Sequence, residues 1–474
     1  VKFNSKILKK YMASLGFQKF KKIHMIGIGG SGMIGVATIL QKRGFKVTGS
    51  DLVITDELKE LKKLGAKVQI GHEPRLIKNA DLVVASSAIS KRNSELSYAK
   101  KSGLTIIPRA EMLGTLMKPY RSIAIAGSHG KTTTTSIVAS IFNAANLSPT
   151  YVIGGQVLSV GRSSELGEGD YIIVEADESD GSFLHLQPDI AVITNIDNDH
   201  LDFYESNQEK LNQSFLSFAE NLPFYGYILI NLDDSNIRKI SKDIHRRQIT
   251  FGFSAKNRFQ ITDIKLKNGV QKFQIIDHNN KKNYKFSTYL SGKHNLCNVT
   301  AAICVAIEEN ISTKNISKGL NNFKGVGRRF EISNLTFYDQ PRILIDDYGH
   351  HPVEISATIQ AIRQKFPRKK ICMIFEPHRF TRTHQLFDDF VKVLSQVDSL
   401  LLLDIYPASE KPIKGISSKK LISEIAKNHK NAEYIGKTDP LVWLQSNYEN
   451  FSILITQGAG TISKLNKKIK HKWQ

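Results

Sequence analysis

The sequence predicts an α/β protein of three domains, each built on a largely parallel sheet. Three observations carry this. Short β-branched or apolar runs, each followed by a glycine or polar loop and then a stretch of helical spacing, recur along the whole chain. The runs fall into three series. And 474 residues, 41% of them apolar, exceed what one ordinary hydrophobic core organises.

In the first series the runs are KIHMIGI, KVTGS, KVQIG, DLVVASS and LTIIPRA, with helical stretches such as DELKELKKLG between them. The second begins at RSIAIAGS and continues with DYIIVEA, DIAVITNI and GYILINL, after which residues 250–290 alternate as antiparallel strands do. The third comprises PRILIDDY, KKICMIFEP, SLLLLDIY and FSILITQ. No Pro/Ser/Gly-rich linker separates them and no fixed-period repeat is present. The boundaries are therefore placed near Met117 to Tyr120 and Gly325 to Arg328, giving domains 1–118, 119–326 and 327–474.

Ser50-Asp51, Ser86-Ser87, Gly127 to Thr132, Glu175, Asn195, Asp346-Asp347, His378-Arg379 and Gly458 to Gly460 all fall just after a predicted strand. In parallel sheets that carboxyl edge is where ligands bind.

Composition narrows the function. The formal charge of +22 suits nucleic acid or acidic small molecules. No RNP, zinc-finger or helix-turn-helix signature accompanies the scattered lysines, so small anions are expected and nucleic acid is not. The three cysteines, Cys297, Cys304 and Cys372, form no CxxC pair and no metal spacing, which points to a reducing compartment. The first 22 residues carry lysines throughout and no apolar run, and no stretch of about 20 apolar residues occurs. A cytoplasmic protein without membrane insertion, a monomer or weak dimer, is expected.

The stretch GSHGKTTTTS at 127–136 is a shortened phosphate loop. The usual pattern wants a glycine at 125, where Ile125 stands, and the glycine comes instead at Gly127. It follows the strand SIAIA and opens the helix SIVASIF. In that context the backbone of Gly127, Ser128, His129, Gly130 and Thr133 cradles phosphate oxygens, Lys131 reaches the terminal phosphates and the Thr132 hydroxyl ligates magnesium. Gly27, Gly29 and Gly32 satisfy GxGxxG, with Gly30 and Ser31 inside the loop and Asp51 19 residues beyond Gly32. That pattern reads as a diphosphate site without naming the base: a nicotinamide enzyme and plain strand-to-helix packing both use it.

EADESDGSF supplies Glu175 as an oxygen ligand for a hard dication. His200, in NIDNDHLD, is a second candidate, although histidine prefers softer metals and can instead orient a water. DDYGHHP, EPHRFTRT and GVGRRFE place Asp347, His350, His378, Arg379, Arg382, Arg328 and Arg329 after adjacent strands or at a domain junction, and guanidinium forks suit phosphate and carboxylate.

These motifs, with GKHNLCNVTAA, DIYPASE and QGAG, stand in the order found in the Mur ligases, which the chain resembles from end to end, most closely in the alanine-adding branch. The resemblance implies a Rossmann-like N-terminal domain for a UDP-sugar, a P-loop ATPase centre and a Rossmann-like C-terminal domain. It implies ATP and Mg2+ as cofactors and UDP-N-acetylmuramate and L-alanine as substrates, in peptidoglycan precursor synthesis. Gly27, Gly29, Gly30, Ser31, Gly32, Asp51, Ser86 and Ser87 then serve the UDP-sugar. Thr132, Glu175 and His200 serve metal, and His294, Asn295 and Asn298 lie near adenine. Arg328 or Arg329 touches the transferred phosphate and Asp347 the nucleotide. His350, His378, Arg379 and Arg382 meet the muramoyl carboxylate and alanine.

The implied chemistry moves the γ-phosphoryl of ATP to the carboxylate, making an acyl phosphate that the amine attacks, while one of His200, His350 or His378 takes the ammonium proton. Sister ligases carry a carbamylated lysine about sixteen residues after an Asp-His aspartate; counting from Asp199 lands on Phe215, which argues against the later-acting ligases. A recycling ligase that adds a tripeptide to the same nucleotide is the nearest alternative. A nicotinamide oxidoreductase would leave GSHGKTTTTS unexplained, and a non-catalytic nucleotide switch would not need the His and Arg cluster.

Overall fold

The computed structural model describes residues 20–158, 161–199, 201, 203–205, 207–267, 269–408, 410–427, 429–436 and 438–474. Within them lie three sheets. The first comprises β1 (Lys22–Ile26), β2 (Lys46–Asp51), β3 (Lys67–Ile70), β4 (Leu82–Ala85) and β5 (Thr105–Pro108) in the order β3-β2-β1-β4-β5, all parallel. The order reverses between β1 and β4, so the crevice of this half-Rossmann sheet opens at their carboxyl ends. The glycine loop follows β1 and Ser86-Ser87 follow β4, one on each side of it.

The second sheet has ten strands: β6 (Arg121–Ala126), β7 (Thr150–Val157), β8 (Arg162–Glu165), β9 (Tyr171–Glu175), β10 (Ile190–Ile193), β11 (Tyr227–Asn231), β12 (Arg247–Gly252), β13 (Phe259–Lys267), β14 (Val270–Asp277) and β15 (Lys282–Thr288). β6 lies between β10 and β9, parallel to both. The strands expected to be antiparallel at 250–290 join the sheet through a parallel pair, Phe251 opposite Phe259. The reason is local. Asp233 accepts the N-H groups of Phe253 and Ser254 and the amide of Asn257, turning the chain back to the strand start without a hairpin.

The third sheet runs β16-β17-β21-β18-β19-β20, from β16 (Glu331–Phe337), β17 (Gln340–Asp347), β18 (Ile371–Phe375), β19 (Ser399–Leu403), β20 (Ala432–Gly436) and β21 (Ile453–Gln457). Only β16 is antiparallel, joined to β17 by Tyr338-Asp339, both at positive φ (44° and 64°), as a two-residue hairpin turn demands. The α/β class with three mainly parallel sheets is thus as the periodicity predicted.

The described chain forms two compact units. One runs to Lys265 and includes Lys272–Thr288 and Cys297–Lys324; the other comprises Leu266–Gln271, Tyr289–Leu296 and Gly325–Gln474. In the first, one core cluster runs from Met25 and Val36 through Ala124 and Val174 to Phe183, Phe215 and Phe218. Arg43 donates to the Tyr120 hydroxyl at 2.8 Å and Lys42 pairs with Glu165 at 2.7 Å across the same seam. In the second, alternate residues of β18 feed opposite faces: Ile371, Met373 and Phe375 one core, Cys372 and Ile374 the other. The three cysteines are free thiols.

The helix Lys131–Ala144, which carries the phosphate loop at its start, packs against the helix Thr313–Asn322 at a glycine. A β-carbon on Gly319 would lie 2.5 Å from the Ile141 Cα, and the Ser140 hydroxyl donates to the Gly319 carbonyl at 2.8 Å. Gly319→Ala is therefore expected to destabilise the protein by about 1–3 kcal/mol through overpacking, although alanine is the better helix former. Urea unfolding checks this; an unchanged midpoint would contradict the close approach.

Candidate active site

The phosphate loop is shaped by neighbours that only tertiary structure brings to it. Gly127 (φ 132°) and Gly130 (φ 82°) occupy backbone conformations that L side chains avoid. A β-carbon at Gly127 would sit 2.1 Å from the Thr194 hydroxyl, and one at Gly130 would sit 2.3 Å from the Asn298 amide oxygen. Asn195 holds the loop from the end of β10: its carbonyl accepts Ser128 N-H at 3.1 Å, its side-chain oxygen accepts His129 N-H at 2.8 Å, and its amide donates to the His129 carbonyl at 2.9 Å. The N-H groups of Lys131, Thr132 and Thr133, the first turn of the helix, have no acceptor among the described residues. Three orphan donors at a helix start, in a turn too tight for side chains, form a seat for anionic oxygens.

Lys131 donates to the Gly127 carbonyl at 2.7 Å and pairs with the buried Glu178 at 2.8 Å. Burial disfavours its charge, but Glu178, Asp177 and Glu175 outweigh that and keep its pKa above the ordinary lysine value. Burial pushes the Glu178 carboxyl up to about 7; Lys131 opposes the rise and Asp177 adds to it. Asp177 is held below the usual carboxylate range: burial works against its ionisation, but Lys131 and the Ser179 N-H overcome it.

Thr132 donates its hydroxyl to Glu175 Oε1 at 3.0 Å, and Glu175 Oε2 accepts Gly154 N-H at 2.8 Å. A hydroxyl and a carboxylate oxygen so close, beside the orphan N-H groups, are hard donors that fit a magnesium ion. His200 lies outside the described residues. His294, Asn295 and Asn298 sit on the first turns of the helix Lys293–Glu308, where Asn295 donates to the Ser291 carbonyl.

In the first sheet the glycine loop is tied to the end of β2. The Ser50 carbonyl accepts Gly27 and Ile28 N-H at 2.9 and 3.1 Å, and Asp51 Oδ2 accepts Gly29 N-H at 2.8 Å. Gly27 (φ 76°) lies against Ser86, whose β-carbon a side chain there would meet at 3.2 Å, and Ser87 follows in the same turn. Gly30 and Ser31 open the helix Ser31–Lys42.

Beneath this loop is a buried network that sequence reading missed. Glu95 accepts from His24 at 3.1 Å, Gln69 at 3.1 Å, His72 at 3.0 Å and the Ser50 hydroxyl. Burial would raise its pKa, yet those bonds hold it below the usual range. Its only advance signal was an acid behind the N-capping Asn93.

The third sheet gathers the remaining candidates at the ends of β17 and β18. The guanidinium groups of Arg328 and Arg329 lie over the Tyr348 ring, 5.1 and 4.8 Å from its centroid. The His350 and His378 rings are 5.5 Å apart, His378 stacks on Tyr406, and Arg382 donates to the His378 carbonyl at 3.2 Å. Arg379 holds a positive φ of 73°, and its N-H is bound by the Tyr406 carbonyl. Asp347 is not an open acid: Oδ2 accepts Phe330 N-H, and Oδ1 accepts Gly349 N-H, the Thr358 hydroxyl and the Gln457 amide. Burial raises its pKa, with Arg329 opposing.

Three family models cover most of the chain: Mur ligase family, catalytic domain (residues 22–121), Mur ligase middle domain (125–306) and Mur ligase, glutamate ligase domain (328–460). A curated relative from a Psychrobacter species, named UDP-N-acetylmuramate--L-alanine ligase, is 42% identical over 454 residues, 95% of each chain. The chain belongs to the Mur ligase family. Among solved structures, this Mur ligase is similar to the UDP-N-acetylmuramate-alanine ligase of Thermotoga maritima (TM-score 0.80, 26% identity, 95% and 98% of the two chains). It also shares its fold with a murein peptide ligase of Psychrobacter arcticus (TM-score 0.71, 21% identity, 95% and 98%).

Within this Mur ligase the phosphate-loop geometry yields a direct expectation. Lys131→Ala should leave the fold intact, because Glu178, already poised near neutrality, takes up a proton instead of remaining a buried unpaired charge. Turnover should fall at least about a hundredfold, as loss of one preorganised charge contact commonly costs about 3 kcal/mol. Near-normal ATP turnover by the folded variant would refute the assignment.

Proposed function

We propose that this Mur ligase joins L-alanine to the lactoyl carboxylate of UDP-N-acetylmuramate at the expense of ATP, with magnesium, in the cytoplasm, as a step of peptidoglycan precursor synthesis. The observation that carries the nucleotide part is the set of orphan N-H groups at Lys131, Thr132 and Thr133 with the Thr132 hydroxyl and Glu175 carboxylate beside them. The choice of alanine rests on the Psychrobacter relative. Residues 1–118 take the UDP-sugar, 119–326 the ATP, and 327–474 complete the ligase.

In this reading the N-H groups of Lys131, Thr132 and Thr133, rather than those of Ser128 and His129, which Asn195 already binds, seat the phosphates, and Lys131 supplies the charge that the transferring group needs. The histidine–arginine cluster of His350, His378, Arg379 and Arg382 orients carboxylates, with Arg328 and Arg329 toward phosphate. Asp347, engaged on both oxygens, contributes by fixing the turn that carries Tyr348 and His350. Magnesium, held by Thr132 and Glu175, would neutralise charge on the phosphates when bound. One of His200, His350 and His378 accepts the ammonium proton.

Phosphate release is the deciding measurement. With ATP and UDP-N-acetylmuramate, release should depend on L-alanine; release that instead requires a tripeptide would identify the recycling reaction. Metal chemistry gives an independent expectation. Phe215 is fully buried and packs edge-on to Phe183 at 5.2 Å, so that position offers no amine for a carbamate, and the exposed Lys210 pairs with Glu205. Stripping dissolved carbon dioxide should leave the rate unchanged, whereas Glu175→Ala should lose magnesium-dependent turnover. A rate that fell without bicarbonate and vanished in Lys210→Ala would overturn this.

A further inference from the structure

The N-H groups of the glycine loop are mostly used by the protein itself. Gly27 and Ile28 donate to Ser50, Gly29 to Asp51 and Gly30 to the Gly27 carbonyl, while Met33 and Ile34 donate back to Gly30. Among the described residues of this loop, only Ser31 and Gly32 keep N-H groups without an acceptor. Two neutral donors are a meagre seat for a diphosphate.

A cation lies beside them. Arg109 is the first residue of the helix Arg109–Met117, directly after β5 and on the same carboxyl edge as the glycine loop. Its guanidinium is pressed onto Gly32: a β-carbon there would fall 2.8 Å from Nη1, 2.9 Å from Cζ and 3.1 Å from Nε. The third glycine of GxGxxG, ordinarily explained by helix packing on the strand, here makes room for an arginine. Arg109 forms no hydrogen bond or ion pair with a described residue, although its charge favours ionised Asp177. A positive charge in the first turn of a helix opposes the dipole and is disfavoured unless an anion meets it.

We infer that Arg109 is a substrate-binding residue whose guanidinium fork, with the N-H groups of Ser31 and Gly32, clamps the diphosphate of the sugar nucleotide. The inference rests on the UDP-sugar reading of this domain. A planar fork matches two phosphate oxygens at once, which a lysine at the same place could not do.

Calorimetry on the full chain with UDP and with UDP-N-acetylmuramate tests it. Arg109→Ala should weaken both by about 10- to 100-fold, the loss expected for a charge-assisted contact, with ATP affinity unchanged. Arg109→Lys should recover only part. Gly32→Ala, which leaves the charge in the chain but puts a methyl where the guanidinium lies, should reproduce the loss and guards against a misfolded Arg109 variant. Wild-type affinity for UDP should also fall more steeply with salt than that of Arg109→Ala. Unchanged UDP affinity in both Arg109→Ala and Gly32→Ala overturns the inference. A loss confined to UDP-N-acetylmuramate puts Arg109 on the lactoyl carboxylate and overturns the diphosphate assignment. If wild-type protein takes up no UDP at all, the sugar-nucleotide reading itself fails.

Discussion

The Lys131 ammonium sits at the positive end of a helix, enclosed by protein, in a place that both burial and the helix dipole make hostile to a cation. What keeps it there is the carboxylate group formed by Glu178, Asp177 and Glu175, delivered by the turn after β9. That turn is adjacent only because β9 is the parallel neighbour of β6, the strand that leads into the phosphate loop. Sheet order, then, sets the electrostatics. On the other flank of β6, β10 brings Thr194 and Asn195 against the loop backbone, which leaves no room for a side chain at Gly127. The two clamps coexist because β6 is an interior strand with a neighbour on each side.

The same logic recurs in the first sheet with a different outcome. There a single buried anion, Glu95, draws together β1, β2 and the segment after β3, and the end of β2 in turn holds the glycine loop. Burying an unpaired carboxylate is costly, and each of its four donors offsets part of that cost. Loop geometry is thereby fixed from beneath, while Arg109 lies on its outer side against Gly32. Lys131 carries its counter-charges within the fold; Arg109 has no ion-pair partner among the described residues.

Much of this was legible in the residues. Strand-to-helix alternation gave the class, and the placing of Ser50-Asp51, Gly127 to Thr132, Glu175 and Asp347 at strand ends held because parallel strands leave one edge for irregular residues. What the residues left unread shares a cause. Asp51 and Asp347 carry acids where acids were expected, yet their oxygens bind the chain's own N-H groups, and no motif distinguishes an acid that meets a ligand from one that shapes the loop beside it. Arg109 read as the tail of the strand LTIIPRA, since its neighbour Gly32 is 77 residues earlier. The alternation at 250–290 was real, and the short links between β13, β14 and β15 suit it; what periodicity does not encode is the parallel junction of β12 with β13, which depends on how Asp233 turns the chain.

Turn chemistry also explains why the two glycine motifs are not interchangeable. In GIGGSG four successive N-H groups are consumed by the protein, so the free donors begin only at Ser31, inside the helix. In GSHGKTTTTS Asn195 consumes the N-H groups of Ser128 and His129 and the Gly130 carbonyl that of Thr134, while those of Lys131, Thr132 and Thr133 have no acceptor among the described residues. The shortened loop thus keeps three N-H groups, a lysine and a hydroxyl, matching a triphosphate with its metal. The GIGGSG loop keeps two N-H groups with a guanidinium beside them, a set that in the proposed reading suits a diphosphate without a metal. Motif length is the less informative quantity; which backbone donors the fold leaves unspent decides what each loop can hold.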